Sequence, residues 1–417
     1  MKVGRCKGMK DLSPAEMTVF RAVEGIYRDC CMKWGYREVR TPTIEYLHLF
    51  TSAGTLTPGM LGRVYSFLDW DGWSGERVVL RPDGTIPVAR FYTESREGRG
   101  LARLFYATSI LMFEETAEQT RERWQCGAEL IGAGSVMADT ELLLLSLEVL
   151  DKLGLKDVEL RLSHAGLIKS LLAKLGLSPE EQTRTFDRIL DGDDDALAKV
   201  AGEFPAIESA LRPLLSLKGQ SPGFIRNQRA LLAKDIPEIA PHLDDLLEMV
   251  TVLDELGCAY RIDIASGSGF EYYTGMMFEL YIGGEKVGGG GRYDELIPSM
   301  GGGDVPASGF ALYLDRLAAM VKPDAIAPAA LPEVLVRAKT GGTAAMKDVF
   351  ATADRLRATG YIAEVDLTGE VNDTVQWLVE VAGKSQPLTM TDTSDKRKSE
   401  VPDVAGLLTA LEGTSGR

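Results

Sequence analysis

The stretch from Ile262 to Leu296, IDIASGSGFEYYTGMMFELYIGGEKVGGGGRYDEL, constrains this chain more than any other. Tyr272, Tyr273, Thr274, Met277, Phe278, Leu280, Tyr281 and Ile282 are β-prone or apolar. Gly283-Gly284 is a turn signal, so the stretch reads as two antiparallel strands joined by a turn. The glycines from Gly288 to Gly291 let the backbone come close to something small. Residues two apart on a strand share a face. Glu271, Tyr273 and Gly275 are therefore expected to look one way, offering an acid, an aromatic hydroxyl and a gap. That is the composition of a wall around a small polar ligand. A Gly-rich hairpin with ordinary aromatic packing carries the same local pattern, so the rest of the chain must discriminate.

Two further segments supply groups of the same kind. In Val78 to Arg90, VVLRPDGTIPVAR, Asp83 and Thr85 share a face if the segment is extended. A carboxylate beside a hydroxyl suits an ammonium group, which needs acceptors. Asp-Gly is also a common surface turn. In the strand around Gln125, the residues Gln125, Gly127 and Glu129 fall on one face. An amide and an acid around a glycine gap suit an amino acid with a polar ring.

These segments, with three others, resemble the histidyl-tRNA synthetase family. Gly8 to Pro14 fits the entry pattern G-x-x-D-x-x-P, which is also a helix start with Ser13 as N-cap, Pro14 and Glu16. Tyr36 to Phe50 is similar to motif 1 of the class II fold, with Pro42 and Glu45 in place. Ser268 to Gly275 and Gly289 to Leu296 resemble the two histidine signatures, and Ala307 to Leu317 resembles motif 3 with Arg316 kept and Asp315 in place of Glu. The departures are specific. Met112 stands at the motif 2 arginine, Ser268 at the leading arginine of the first histidine signature, and Tyr313 at a glycine beside the nucleotide. Adenylate formation needs cations on the ATP phosphates, and neither Met112 nor Ser268 supplies one.

Loss of two phosphate partners with retention of the pocket resembles the synthetase-like regulatory-subunit family of ATP phosphoribosyltransferase. The resemblance implies an α+β fold: a class II synthetase-like antiparallel sheet with helices over residues 1–322, a helical insertion over about 165–256, a linker at 323–332 and a small anticodon-binding-like α/β domain at 333–417. It implies histidine binding through Asp83, Thr85, Gln125, Glu129 and Tyr273, with Tyr272 and Arg292 beside them. No catalytic residue, cofactor or metal is expected. The implied partners are a separate ATP phosphoribosyltransferase catalytic chain and a second copy of this chain, paired through motif 1. The alternatives are a divergent, active histidyl-tRNA synthetase, which would show histidine-dependent ATP–pyrophosphate exchange and tRNA charging, and an unrelated amino-acid-binding protein.

Charge speaks against tRNA. The net charge is −15, and a surface of that sign repels nucleic acid unless a basic patch overrides it. From Leu331 to Arg417 there are 10 Lys/Arg against 13 Asp/Glu, a balance of −3. Lys396-Arg397-Lys398 reads as a solvated loop. No apolar run reaches membrane-spanning length, the N-terminus has no secretory h-region, and five cysteines without a framework suit a reducing cytoplasm. None of the three histidines stands at a zinc spacing from a cysteine or carboxylate; His164 reads as a structural histidine at a strand end, and Asp191 to Asp195 as an acid cluster at a helix start. The Pro/Ala run Pro323 to Pro332 marks a boundary. Beyond it a β-α-β-α-β order is expected, with helices at about Ala344–Thr359 and Val371–Ala382.

Overall fold

The computed structural model of the chain describes residues 4–52, 61–69, 75–95, 100–113, 120–174, 178, 181–182, 185, 218–219, 221–234, 236–264, 272–322, 333–369, 375–383 and 386–414. It divides into two units, Met1–Ala327 and Pro328–Arg417, each with its own apolar core. Asp191 to Asp195, Ser268, Glu271 and the Pro/Ala run lie outside the described residues.

The first unit opens with helix Pro14–Lys33. Ser13 and Glu16 form its capping box, Pro14 begins it, and Gly35 follows its end with φ of 82°. Twelve strands follow: β1 Arg37–Glu38, β2 Ile44–Tyr46, β3 Ser66–Asp69, β4 Glu76–Leu80, β5 Ala102–Leu111, β6 Glu122–Ile131, β7 Val158–His164, β8 Lys218–Gly219, β9 Arg261–Asp263, β10 Met276–Ile282, β11 Glu285–Arg292 and β12 Ala307–Tyr313. Nine of them form one sheet in the order β1-β5-β6-β12-β11-β10-β7-β9-β8. Among the described residues of this sheet, only β1/β5 and β7/β9 pair in parallel. Strands β2, β4 and β3 make a separate antiparallel sheet.

Alternation along the central strands sorts the residues onto two faces. One row across the sheet is Leu104, Glu129, Gly309, Gly291, Met277; the next is Tyr106, Gly127, Ala311, Gly289, Glu279; a third is Thr108, Gln125, Tyr313. The opposite face carries Phe105, Ala128, Phe310 and Gly290 in one row. Helix Pro14–Lys33 packs there, with Tyr27 edge-on to Phe105 at 5.9 Å, and both rings are buried. The four glycines thus serve two purposes. Gly289 and Gly291 keep the pocket face low, while Gly288 and Gly290 admit the neighbouring strand and its side chains.

Several expectations need correction. The strand of the central hairpin begins at Met276, so Tyr272 to Gly275 form an irregular segment and not a strand face. Thr85 begins helix Thr85–Glu94, so Asp83 and Thr85 meet through a helix start and not along an extended run. Residues 307–313 form a strand, with helix Leu314–Met320 following. The insertion shows helices Ala165–Lys174, Pro222–Leu232 and Ala240–Glu255 but also contributes β8.

The second unit holds five strands, β13 Glu333–Ala338, β14 Ile362–Val365, β15 Trp377–Val381, β16 Leu388–Asp392 and β17 Lys398–Val401, in the order β14-β13-β15-β16-β17. Helices Thr343–Ala358 and Val404–Thr414 accompany them. The expected helix at Val371–Ala382 is instead strand β15 over its described part. Trp377, Val379 and Val381 alternate inward there, a period of two that excludes a helix face. Lys398 lies in β17, not in a loop.

A Cβ at Gly290 would meet Phe310 Cβ at 2.6 Å and the Gly309 carbonyl closer still. Gly290→Val should cost about 1–3 kcal/mol of stability by overpacking. Urea unfolding reads this, and an unchanged midpoint would show that the strands are not packed this closely.

Candidate functional site

The pocket is built where the small sheet meets the large one. Arg81, at the end of β4, is buried and donates to the carbonyls of Thr41 (2.9 Å), Pro42 (3.0 Å) and Ser109 (2.9 Å). That clamp sets the turn Pro82-Asp83-Gly84. Asp83 Oδ2 then accepts the Ile86 N–H at 3.0 Å, as an acid does at a helix start. Arg90, one turn further along, forks onto Glu45 of β2 at 2.7 and 3.0 Å and fixes that helix to the small sheet.

Gln125 and Glu129 of β6 stand opposite. Gln125 Oε1 accepts the Gly84 N–H at 3.1 Å, and its amide lies close enough to Asp83 to favour the anion. Tyr293 donates a short hydrogen bond to Glu129 Oε2. The Tyr106 ring fills the space above Gly84 and Gly127, where any Cβ would strike it, and its hydroxyl lies 3.4 Å from Thr85 Oγ1. Tyr273 lies over Gly291, whose Cβ would come within 2.9 Å of the ring. Tyr272 stacks edge-on to Tyr293 at 5.4 Å.

The electrostatics of this arrangement are unusual. Asp83 and Glu129 are 4% and 1% exposed, and Asp83 Oδ1 and Glu129 Oε1 are buried without a hydrogen-bond partner of ordinary geometry. Burial pushes the Glu129 carboxyl up to about 8, although the hydroxyls of Tyr293, Thr85 and Tyr106 favour its anion and the Asp83 charge disfavours it. Burial likewise raises Asp83 against the pull of the Ile86 N–H and Gln125. Two acceptors with open lone pairs in a shell of hydroxyls and one amide can hold a cationic or N–H-rich ligand.

The structure brings Asp83, Thr85, Gln125, Glu129, Tyr272 and Tyr273 together. Arg292 is the exception. It falls on the opposite face from Gly291, because successive strand residues alternate. Its guanidinium forks onto Asp139 at 2.7 and 3.1 Å and donates to the carbonyls of Ala133 and Ser135. Arg292 therefore braces the floor and does not face the ligand; burial pushes Asp139 up to about 6 despite that partner. Met112 follows the end of β5 and is bridged to Val64, and Tyr313 closes the third row beside Gln125, its ring under the Arg316 guanidinium.

Three contributors escaped the sequence reading. Tyr293 was within reach, since it alternates with Arg292 inside the glycine signature. Tyr106 faces Gly127 only across a strand pair, and Asp139 meets Arg292 only through the packing of helix Val136–Lys152 on the sheet. Neither relation has a local signal.

A carboxyl whose folded pKa is raised stabilises the fold fully below its unfolded value and loses that contribution as pH rises through the folded one. For Glu129 the window runs from 4.5 to about 8. Asp83 and Asp139 shift in the same direction. Without ligand, stability should fall as pH rises across that window, and Glu129→Gln should flatten the fall. Unfolding free energies measured against pH check this; equal slopes in the two proteins would contradict it.

Known proteins share this architecture. The family model described as histidyl-tRNA synthetase matches residues 8–317. The ATP phosphoribosyltransferase regulatory subunit of Dehalococcoides mccartyi (strain CBDB1) is 47% identical over 99% of this chain and 99% of its own length. A histidine–tRNA ligase of Methanocaldococcus jannaschii is 32% identical over 87% of this chain and 86% of its own. Among solved structures, an ATP phosphoribosyltransferase regulatory subunit/histidyl-tRNA synthetase from Bacillus halodurans C superposes with a TM-score of 0.77 over 92% of this chain and 99% of that one, at 24% identity. That likeness shows the class II synthetase-like α+β fold. With a regulatory subunit matched end to end at this identity, the chain belongs to the ATP phosphoribosyltransferase regulatory-subunit family, within the wider family of histidyl-tRNA synthetases.

Proposed function

We propose that this chain is the histidine-binding, non-catalytic subunit of an ATP phosphoribosyltransferase and controls the first step of histidine biosynthesis. One observation carries the ligand assignment: the two buried carboxyls, Asp83 and Glu129, each keep an oxygen without a partner inside one polar pocket. Histidine answers both. Its ammonium suits Asp83 and the Thr85 hydroxyl, and its imidazole N–H suits Glu129 beside Gln125, with Tyr272 and Tyr273 as the aromatic wall. The names of the close relatives support the transferase as the process served.

Chemistry on ATP is not assigned to the chain. Met112 offers no charge to a phosphate, and Ser268 replaces the second expected cation. Self-association is proposed through the small sheet, where Ile44 and Tyr46 are each 48% exposed and Phe67 is 42% exposed. The chain works in the cytoplasm on this reading; no helix of the described residues is long and apolar enough to cross a membrane. Control of the partner requires histidine to bind the active and inhibited assemblies with different affinity. A divergent histidyl-tRNA synthetase is the second reading, favoured by the ligases at about 32% identity.

Reconstitution with a short-form transferase chain tests the proposal. Transferase activity should depend on adding this chain and should respond to histidine. Asp83→Asn removes a charged hydrogen-bond partner, about 1.5–3 kcal/mol, so the histidine needed for half response should rise roughly 10- to 150-fold. The variant should still support the partner. A transferase indifferent to this chain would sink the proposal.

A further inference from the structure

His164 ends β7 and is 1% exposed. Its Nδ1 accepts the Gly166 N–H at 3.1 Å, at the start of helix Ala165–Lys174. In the neutral ring the proton therefore sits on Nε2. That atom is buried without a hydrogen-bond partner, and Asp245 Oδ2 stands 3.7 Å away, beyond hydrogen-bond reach. The His242 ring lies 4.8 Å from the His164 ring, tilted by 40°, and packs against Gly166. His242 and Asp245 both come from helix Ala240–Glu255.

The three side chains place their possible ligand atoms within 4.8 Å of one another, the makeup of a metal site. A metal-bound imidazole donates its other ring N–H to an acceptor, whereas here the other nitrogen of His164 is itself the acceptor of the Gly166 N–H. A second proton on the ring has to go to that nitrogen, so charging His164 sets two N–H groups against each other and costs the bond from Gly166; a metal on Nε2 would meet the same conflict.

His164 is also tied to the pocket. It pairs with Met276 across β7 and β10, and the Ala165 N–H donates to the Gly275 carbonyl at 2.8 Å. The Thr274 N–H donates to the Arg292 carbonyl at 2.8 Å, and Gly275 leaves room for the Arg292 side chain. The segment Tyr272 to Gly275, which carries the two aromatic walls, therefore hangs from the end of β7.

We propose that His164 is a proton-sensitive positioning residue for the aromatic wall of the pocket, with His242 and Asp245 setting its response. A neutral His164 fits its buried seat. A charged one is drawn toward Asp245 and away from a charged His242, and the strand end that holds Gly275 moves with it. The groups that act on the ring are Asp245 and His242 from the helix and the Arg292 charge from β11. Burial holds both histidines below the usual range, while Asp245 opposes the shift in each. Acid should loosen the wall. The effect on histidine affinity rests on the pocket assignment above; the loosening does not.

Amide hydrogen exchange on the ligand-free chain tests this directly, at about pH 7.5 and about pH 5.5 with a chelator present. Wild-type protection at the Ala165 and Thr274 amides should fall about tenfold at the lower pH as the segment opens locally. His242→Gln should reduce the fall, and His164→Asn should abolish it. His242 is only half-buried, so its variant keeps the test open if His164→Asn fails to fold. Equal falls in wild type and His242→Gln would overturn the proposal, as would a pH response that appears only when zinc replaces the chelator. Calorimetry with histidine at about pH 7.5 reads the pocket assignment separately, and a null result there leaves the exchange outcome standing.

Discussion

Two carboxyl groups buried close enough to repel, with an open lone pair on each, are the constraint on which the site depends. Taking an anion out of water is costly unless it is paired and hydrogen-bonded. Among the described residues, Asp83 has a peptide N–H and an amide, Glu129 has hydroxyl groups led by the Tyr293 phenol, and neither forms an ion pair. The one guanidinium that the glycine signature supplies is spent on Asp139 behind the sheet. A fold gains nothing from such an arrangement in isolation. It gains when a ligand brings the missing positive charge and N–H groups, so on the proposed reading the cost to the fold and the affinity for a cationic amino acid have one origin.

The surrounding architecture keeps that cost tolerable. Arg81 locks the Asp83 turn through three carbonyls, and Arg90 locks the following helix through Glu45. On the other side, three strands, β6, β11 and β12, bring Gly127, Gly289, Gly291 and Gly309 onto one face, so the floor is low at those positions and the tyrosines can lie down on it. A Cβ at Gly309 would fall on the Glu129 carboxylate. The reverse face is filled in the ordinary way by Phe105, Ala128 and Phe310. One run of four glycines thus defines both an empty face and a tightly packed one.

The strand of Gln125 to Glu129, the hairpin turn, the first helix and its cap were all legible, because each rests on local chemistry: period-two alternation, a Gly-Gly turn, a capping box. The errors share a cause. The two-residue spacing of Asp83 and Thr85 suggests a shared face on an extended run, with an Asp-Gly turn as the alternative, but Thr85 begins a helix that is held by Arg90 and Glu45, which are distant in sequence. Val371–Ala382 was read as helix, yet its core-facing residues Trp377, Val379 and Val381 follow a strand period once β13 and β16 flank them. Arg292 was assigned to the pocket by family resemblance, and simple alternation from Gly291 was the signal that argued otherwise. His164 looked isolated because His242 and Asp245 approach it only through tertiary packing of the helix they share.

Family membership alone does not separate a regulatory subunit from a histidine–tRNA ligase, since proteins of both names are similar in sequence to this chain. What separates them is charge at the phosphates. On the proposed reading the amino-acid pocket is kept, while Met112 and Ser268 stand where the resemblance to the family expects cations for ATP. The most direct measurement is histidine-dependent ATP–pyrophosphate exchange on the purified chain, with histidine binding followed by calorimetry on the same sample. Binding without exchange is the predicted result. Robust exchange would contradict the account, because it would require adenylate chemistry to proceed with Met112 and Ser268 in place of two arginines.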